Sequence, residues 1–276
     1  CEKLFYNFEK SSIDGIIYCT QSPDFIMPSN SFLLHKHFNF KKEIFAYDFN
    51  HACTGFIYCL AMANAFLKAD MGSAILLINA DTYSKYIYSK DRSTRALFGD
   101  GAAATIVRKD NDSRSRIIDM ELGSLGSGYK NFWIQAGGLR LPVSENTKKE
   151  FEDLNGNIRN KNNIEMDGFG VWSFINSVAP KQIQTLLNKN TITKDEIDQF
   201  IFHQASKMTL DSIKRKMNLD DNQVYSNIEN IGNTVSASIP ITLKDAINDG
   251  KIKRGSKLIL SGFGVGLSYG SILMEY

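Results

Sequence analysis

"FAYDFNHACTGFIYCLAMANAFLKA", Phe45 to Ala69, is the stretch on which the fold turns. Its opening residues predict a strand, and its last eighteen, from Ala52 on, predict a helix. A lone thiol, Cys53, sits where the strand hands over to the helix. Unpaired N–H groups and the dipole at a helix start favour a thiolate over a thiol. Such a site is expected to draw a cysteine from roughly 8.5 into roughly the 3.5–7.5 range. Its own N–H could also face a reacting carbonyl. The competing reading is that Cys53 only packs the helix start, as buried cysteines do. The residues alone leave both open. Cys59, amid Leu60 and Met62, is expected in the core.

Outward from this stretch the chain repeats itself. "SIDGIIYCTQS" (Ser12–Ser22) matches "EIDQFIFHQAS" (Glu196–Ser206), which sets Cys19 opposite His203. "GSAILLINA" from Gly72 matches "GSKLILSGF" from Gly255, and helices start near Cys53 and near Asn233. All three pairs share a spacing of about 180 residues, the signature of a duplication. Each copy reads strand, helix, strand, helix, strand, the pattern of layered α/β folds. Two generic α/β units with shared punctuation would be the plainer explanation.

The halves are expected at 1–113 and 114–276. The second opens with a strand near Arg116–Glu121 and a helix near Val171–Leu187. The first has little room before Ile13 for equivalents, so an opening strand and part of a helical segment are expected to be missing. Residues 127–165, rich in Gly, Asn and Lys, break the periodicity and read as a surface excursion near an opening or interface.

Composition excludes several functions. Net charge is +2, so no electrostatic demand for nucleic acid exists. No apolar run approaches the roughly 18 residues of a membrane span. The four cysteines, Cys1, Cys19, Cys53 and Cys59, lack metal spacing, and all lie in the first quarter of the chain. They predict a reducing compartment, no metal and, with no visible signal peptide, a cytoplasmic protein. A lipid-modified Cys1 is a minor alternative.

Three further places can carry chemistry. His203 ends the apolar strand "DQFIF", where α/β proteins place ligands. Asn233 opens "GNTVSASIP", as a helix cap or as an amide donor to an oxyanion beside His203. In "LILSGFGVGLSYGS", Gly262, Gly264 and Gly266 would let backbone N–H groups approach a ligand. A strand rather than a helix follows them, which argues against dinucleotide binding. His35 and His37 read as surface, and His51 has no chemical context.

Taken together and in this order, "ACTGF", "FGDGAAA", "FHQAS", "GNTVSASIP" and "SGFGVG" resemble the beta-ketoacyl-ACP synthase III family of the thiolase superfamily. The resemblance covers nearly the whole chain, beginning about sixty residues inside a typical member. It implies a five-layered α/β/α/β/α homodimer with its active site where two duplicated halves meet. Cys53 would be the acyl-accepting nucleophile. His203 and Asn233 would stabilise the enolate from decarboxylating malonyl-ACP. N–H groups of Cys53 and of the Gly264–Val265 turn would form an oxyanion hole, with Phe263 near the leaving carboxylate. Arg92 would contact the CoA nucleotide, and Met27 would reach into the partner's acyl pocket. The substrates would be acyl-CoA and malonyl-ACP, with no cofactor, metal, nucleic acid or membrane.

Ser206, Lys207 and Met208 stand where the family commonly carries an Asn and a nearby Arg, so the carrier-protein docking segment is atypical. Val265 replaces a usually small residue, and the 127–165 excursion is longer than in housekeeping members. These departures motivate an alternative, transfer of the acyl group from Cys53 to an amine or hydroxyl of a specialised metabolite or sugar. A third reading is a non-enzymatic partner subunit.

Overall fold

Along each buried strand, successive side chains enter two different cores, and this alternation stacks the layers. The structure is a computed structural model and describes residues 1–109 and 115–276. The boundary expected at 113/114 lies outside the described residues. The first half holds β1 (Gly15–Cys19), α1 (Asn30–Phe38), β2 (Phe45–Phe49), α2 (Gly55–Lys68), β3 (Ala74–Asp81), α3 (Arg92–Arg95) and β4 (Gly101–Arg108). There follow β5 (Arg116–Ser124), β6 (Phe132–Ile134), β7 (Phe151–Glu152), β8 (Ile158–Arg159), β9 (Ile164–Met166) and α4 (Gly168–Lys189). The chain ends with β10 (Gln199–Phe202), α5 (Lys207–Met217), α6 (Ile228–Ile231), α7 (Ser238–Asn248), β11 (Lys257–Gly264) and β12 (Ser268–Glu275).

One sheet has the order β2-β1-β3-β4 and the other β10-β11-β12-β5. In both, a parallel pair (β1 with β3, β10 with β11) continues into an antiparallel neighbour. Ile17, Ile75 and Leu77 of one sheet, and Ile201, Leu258 and Leu260 of the other, share a single core. Between them lie Phe56, Ile57, Cys59 and Leu60 of α2 and Ile239 and Ala246 of α7. The alternate residues Ile16, Leu76 and Ile78 face outward to Phe40 and Ile44 beside α1. Phe200, Phe202 and Ile259 face α4 and α5 through Phe174, Ile183, Leu210 and Ile213. The layers therefore run helix, sheet, helices, sheet, helices, and the duplicated five-layered fold is present.

The anchors of the repeat fall on equivalent strands, β1 with β10 and β3 with β11. The counterpart of β2 has shrunk to a single parallel bridge, Phe200 with Val224. Helix α2 is shorter than the eighteen residues expected. The carbonyl of Ala52 accepts the N–H of Gly55 at 2.7 Å, so Cys53 lies in a turn and the helix starts at Gly55. Strand β5 runs beyond Glu121 to Ser124, and α4 exceeds its expected span at both ends, capped by Asp167 on the N–H of Gly170 at 2.9 Å.

The excursion is more than surface loop. Strand β6 pairs with β9 and β7 with β8, and Phe132, Ala136, Arg159 and Ile164 are buried. Arg159 holds it down: Nε donates to Asp91 at 2.8 Å, and Nη1 lies 3.3 Å from Asp153. Among the described residues no helix is long and apolar enough to cross a membrane.

Candidate active site

Cys53 lies in the turn between β2 and α2, at the seam of the two halves, because strand β11 presents glycine to it. A Cβ on Gly264 would stand 2.7 Å from the Cys53 Cβ and 2.9 Å from its Sγ. One on Gly262 would meet the Cys53 carbonyl at 2.8 Å. The seam is also tied by hydroxyls, Thr54 to Ser268 at 2.8 Å and Ser268 to the Val265 carbonyl at 3.0 Å. These contacts hold the nucleophile's backbone against the β11–β12 hairpin.

The expectation of an acidified thiol is overturned. Burial first, then the nearby Asp81 carboxylate, pushes Cys53 well above the ordinary thiol range. The N–H groups of Cys53 and Val265 both reach the sulfur and pull the other way, without prevailing. The helix dipole acts from two residues further on, while Cys53 is only 3% exposed. At rest it is therefore a thiol.

His203 follows β10, its N–H bound to the Ser261 carbonyl at 2.8 Å. Its ring meets Phe263 edge-on, with centroids 5.9 Å apart. Burial alone lowers the imidazole to about 3, so it is neutral, and its Nδ1 has no partner. Asn233 is pinned by the first half: its N–H donates to the Leu97 carbonyl at 2.9 Å, and its carbonyl accepts from Gly99 at 3.0 Å. This is what "FGDGAAA" does. The side-chain Oδ1 accepts the Val235 N–H at 3.0 Å, which turns Nδ2 toward Ala205, two residues past His203. Val235 is held at φ 54, a costly backbone for a β-branched residue.

One cavity of about 310 Å³ gathers Cys53, His203, Asn233, Phe263, Gly264 and Ser206. Phe132 of the excursion, Met166 at the end of β9 and Trp172 of α4 complete its wall. Ser206 also caps α5, accepting from the Thr209 N–H at 3.2 Å. Three candidates lie outside this cavity, and of these Val265 follows Gly264 at the end of β11 and lines a neighbouring pocket. Arg92 is exposed at the start of α3, and Met27 is 80% exposed. Among the described residues no group of three or more His, Cys, Asp or Glu side chains could hold a metal.

Sequence reasoning passed over Asp81. This buried carboxylate accepts the Ser236 N–H and hydroxyl at 3.2 and 2.5 Å and the Gln21 N–H at 2.8 Å, and so joins the halves below Cys53. Burial outweighs these hydrogen bonds and raises it to about 6. The available signal was an acid closing an otherwise apolar strand, "AILLINAD".

Two duplicated sheets clasping a cysteine turn define a thiolase-like fold. A 2.1 Å crystal structure of 3-oxoacyl-(acyl-carrier-protein) synthase III matches it with TM-score 0.97 and 34% identity, over 100% of this chain and 82% of that one. The enzyme of that name from Aquifex aeolicus matches with TM-score 0.82 and 31% identity, over 98% of this chain and 79% of its own. The family model for 3-oxoacyl-[acyl-carrier-protein] synthase III matches residues 47–126, and its C-terminal model matches 187–276. The beta-ketoacyl-[acyl-carrier-protein] synthase III of Campylobacter concisus is 35% identical, over 97% of this chain and 77% of the relative. The chain belongs to the beta-ketoacyl-ACP synthase III family and is an acyltransferase of that type.

Proposed function

We propose that this enzyme takes an acyl group from acyl-CoA onto Cys53 and joins it, with loss of carbon dioxide, to malonyl-ACP. The observation that carries the reading is the convergence of Cys53, His203, Asn233, Phe263 and Gly264 on one cavity. The Cys53 sulfur bonds to the thioester carbonyl carbon, the carbon–sulfur bond to CoA breaks, and the thiol proton leaves on the departing CoA sulfur. The Cys53 and Val265 N–H groups, already directed at the sulfur, stabilise charge on the carbonyl oxygen.

In the second step malonyl-ACP loses its carboxylate as carbon dioxide against the apolar ring of Phe263. The freed electron pair forms an enolate, which attacks the acyl carbonyl and expels the Cys53 sulfur as a thiolate that takes a proton from solvent to restore the thiol. His203, neutral and buried, and the Asn233 amide donate hydrogen bonds to the enolate oxygen without protonating its carbon. The substrates supply all the chemistry, so the proposal includes no cofactor. Arg92, exposed beside the segment that carries Leu97 and Phe98 into the cavity, is assigned to the CoA nucleotide, and Ser206 to the cavity mouth. The start of α5 is assigned to the carrier protein.

The protein is also proposed to be a homodimer. Phe25, Ile26 and Met27 form an exposed apolar run, Ile26 98% accessible, suited to a second copy whose pocket Met27 would enter.

Intact-protein mass spectrometry with a panel of acyl-CoAs, followed by malonyl-ACP, tests the reading. It expects an acyl adduct that is absent from Cys53→Ala, then carbon dioxide and a longer product. Normal turnover by Cys53→Ala sinks the mechanism. Acyl transfer without carbon dioxide would instead support the amine or hydroxyl acceptor, and no adduct with any thioester would support the partner subunit.

A further inference from the structure

A second pocket, of about 180 Å³, adjoins the first at Phe132 and has a different chemistry. Phe132 lines both, and Val265, whose N–H reaches the Cys53 sulfur, lines the second. Tyr83, Phe132 and Ile164 on its wall pack in the same cluster as Cys53. The pocket and the nucleophile thus share one packed cluster. Its size suits a short chain, since a cavity of about 150 Å³ already accepts benzene.

Its polar wall is ordered. The Tyr83 hydroxyl donates to Gln21 Oε1, and Gln21 Nε2 donates to Asn50 Oδ1 at 2.7 Å. The Gln21 backbone is fixed by its N–H on Asp81. Trp133 also lines the pocket, and its Nε1 is buried without a partner. None of the lining residues carries a charge, so neither a carboxylate nor an ammonium would be neutralised there. A plain alkyl chain would leave the indole N–H unpaired and desolvate two amides. A neutral hydroxyl, both donor and acceptor, could accept the indole N–H and donate to an amide oxygen of the wall.

We propose that the pocket lined by Gln21, Asn50, Tyr83, Tyr86 and Trp133 holds the acyl group carried on Cys53 and selects short hydroxyacyl groups over plain aliphatic ones. This rests on acylation of Cys53 as proposed above. The test compares initial rates of adduct formation on the full chain from 3-hydroxybutyryl-CoA and butyryl-CoA. The hydroxyacyl thioester is expected to react at least about tenfold faster. Gln21→Met, Tyr83→Phe and Trp133→Phe are expected to bring that ratio toward one. Because the ratio is taken within one preparation, partial unfolding of a variant cancels. A wild-type ratio at or below one overturns the proposal, as does a ratio unmoved in all three variants. If neither thioester labels Cys53, the acylation reading itself has failed. Equilibrium binding of both thioesters to Cys53→Ala then decides the pocket, and equal affinities overturn it.

Discussion

Cys53 is reactive by position rather than by acidity. A thiol pushed up by burial and by Asp81 gives an alkylation rate that climbs with pH through neutrality without levelling off, its slope shallower at about pH 6 where Asp81 itself ionises. Iodoacetamide labelling followed by peptide mass spectrometry checks this, and a plateau near neutrality would contradict the burial argument. His203 sets a second pH dependence. Its folded value of about 3 lies below the ordinary 6.5, so between these the unfolded chain binds a proton that the folded chain refuses. Stability therefore falls as pH drops through 6.5 toward 3. Urea denaturation at about pH 7 and pH 5 should show a smaller loss for His203→Gln than for the unmodified chain. The residue types and their order were legible in the motifs, because Cys, His and Asn are rarely combined with such turns by chance. Their ionisation was not. It depends on how much water three distant loops exclude together, and no local spacing encodes that.

At the scale of elements, strands were legible where apolar runs began just after Gly-Ser or Ile-Asp punctuation, as in β1, β3, β10 and β11. The excursion was not. Its strands are two or three residues long, too short for any period to register. What organises it is one long-range pair. Asp91 is completely buried, and Arg159 is its cation. Burial alone would raise Asp91, but the Thr94 N–H and hydroxyl, Ser93 and Arg159 outweigh it and keep the carboxylate low. Arg159→Met leaves that charge unpaired, and removing one partner of such a pair costs about 3–5 kcal/mol. The capping bonds that Asp91 makes to Thr94 place this variant near the lower figure. Thermal melting measures the loss. A raised KM for acyl-CoA should accompany it, because Phe132 and Met166 belong to the segment released.

For the whole molecule, the decisive structure is the seam between halves. Duplication showed in the sequence because both copies kept the punctuation around their central strands. The seam itself was invisible there, since its contacts join residues far apart, Thr54 with Ser268 and Asp81 with Ser236. Gly264→Ala tests it without altering any ionisable group. A methyl 2.7 Å from the Cys53 Cβ must displace backbone, at a cost of about 1–3 kcal/mol. Acylation of Cys53 should fall by about a hundredfold, a larger loss than the drop in melting temperature explains. If the variant acylates at the normal rate, the packing between the hairpin and the nucleophile is looser than the distances indicate.

Glycine weakens a strand interior, so substitution of Gly262 or Gly264 by valine or threonine would ordinarily stiffen β11. Here the same exchange drives into the Cys53 carbonyl at Gly262 and into the Cys53 side chain at Gly264. Selection for heat resistance and selection for turnover should therefore pull these two positions in opposite directions. A mutational library screened separately for the two traits would reveal the conflict as glycines discarded in one arm and retained in the other.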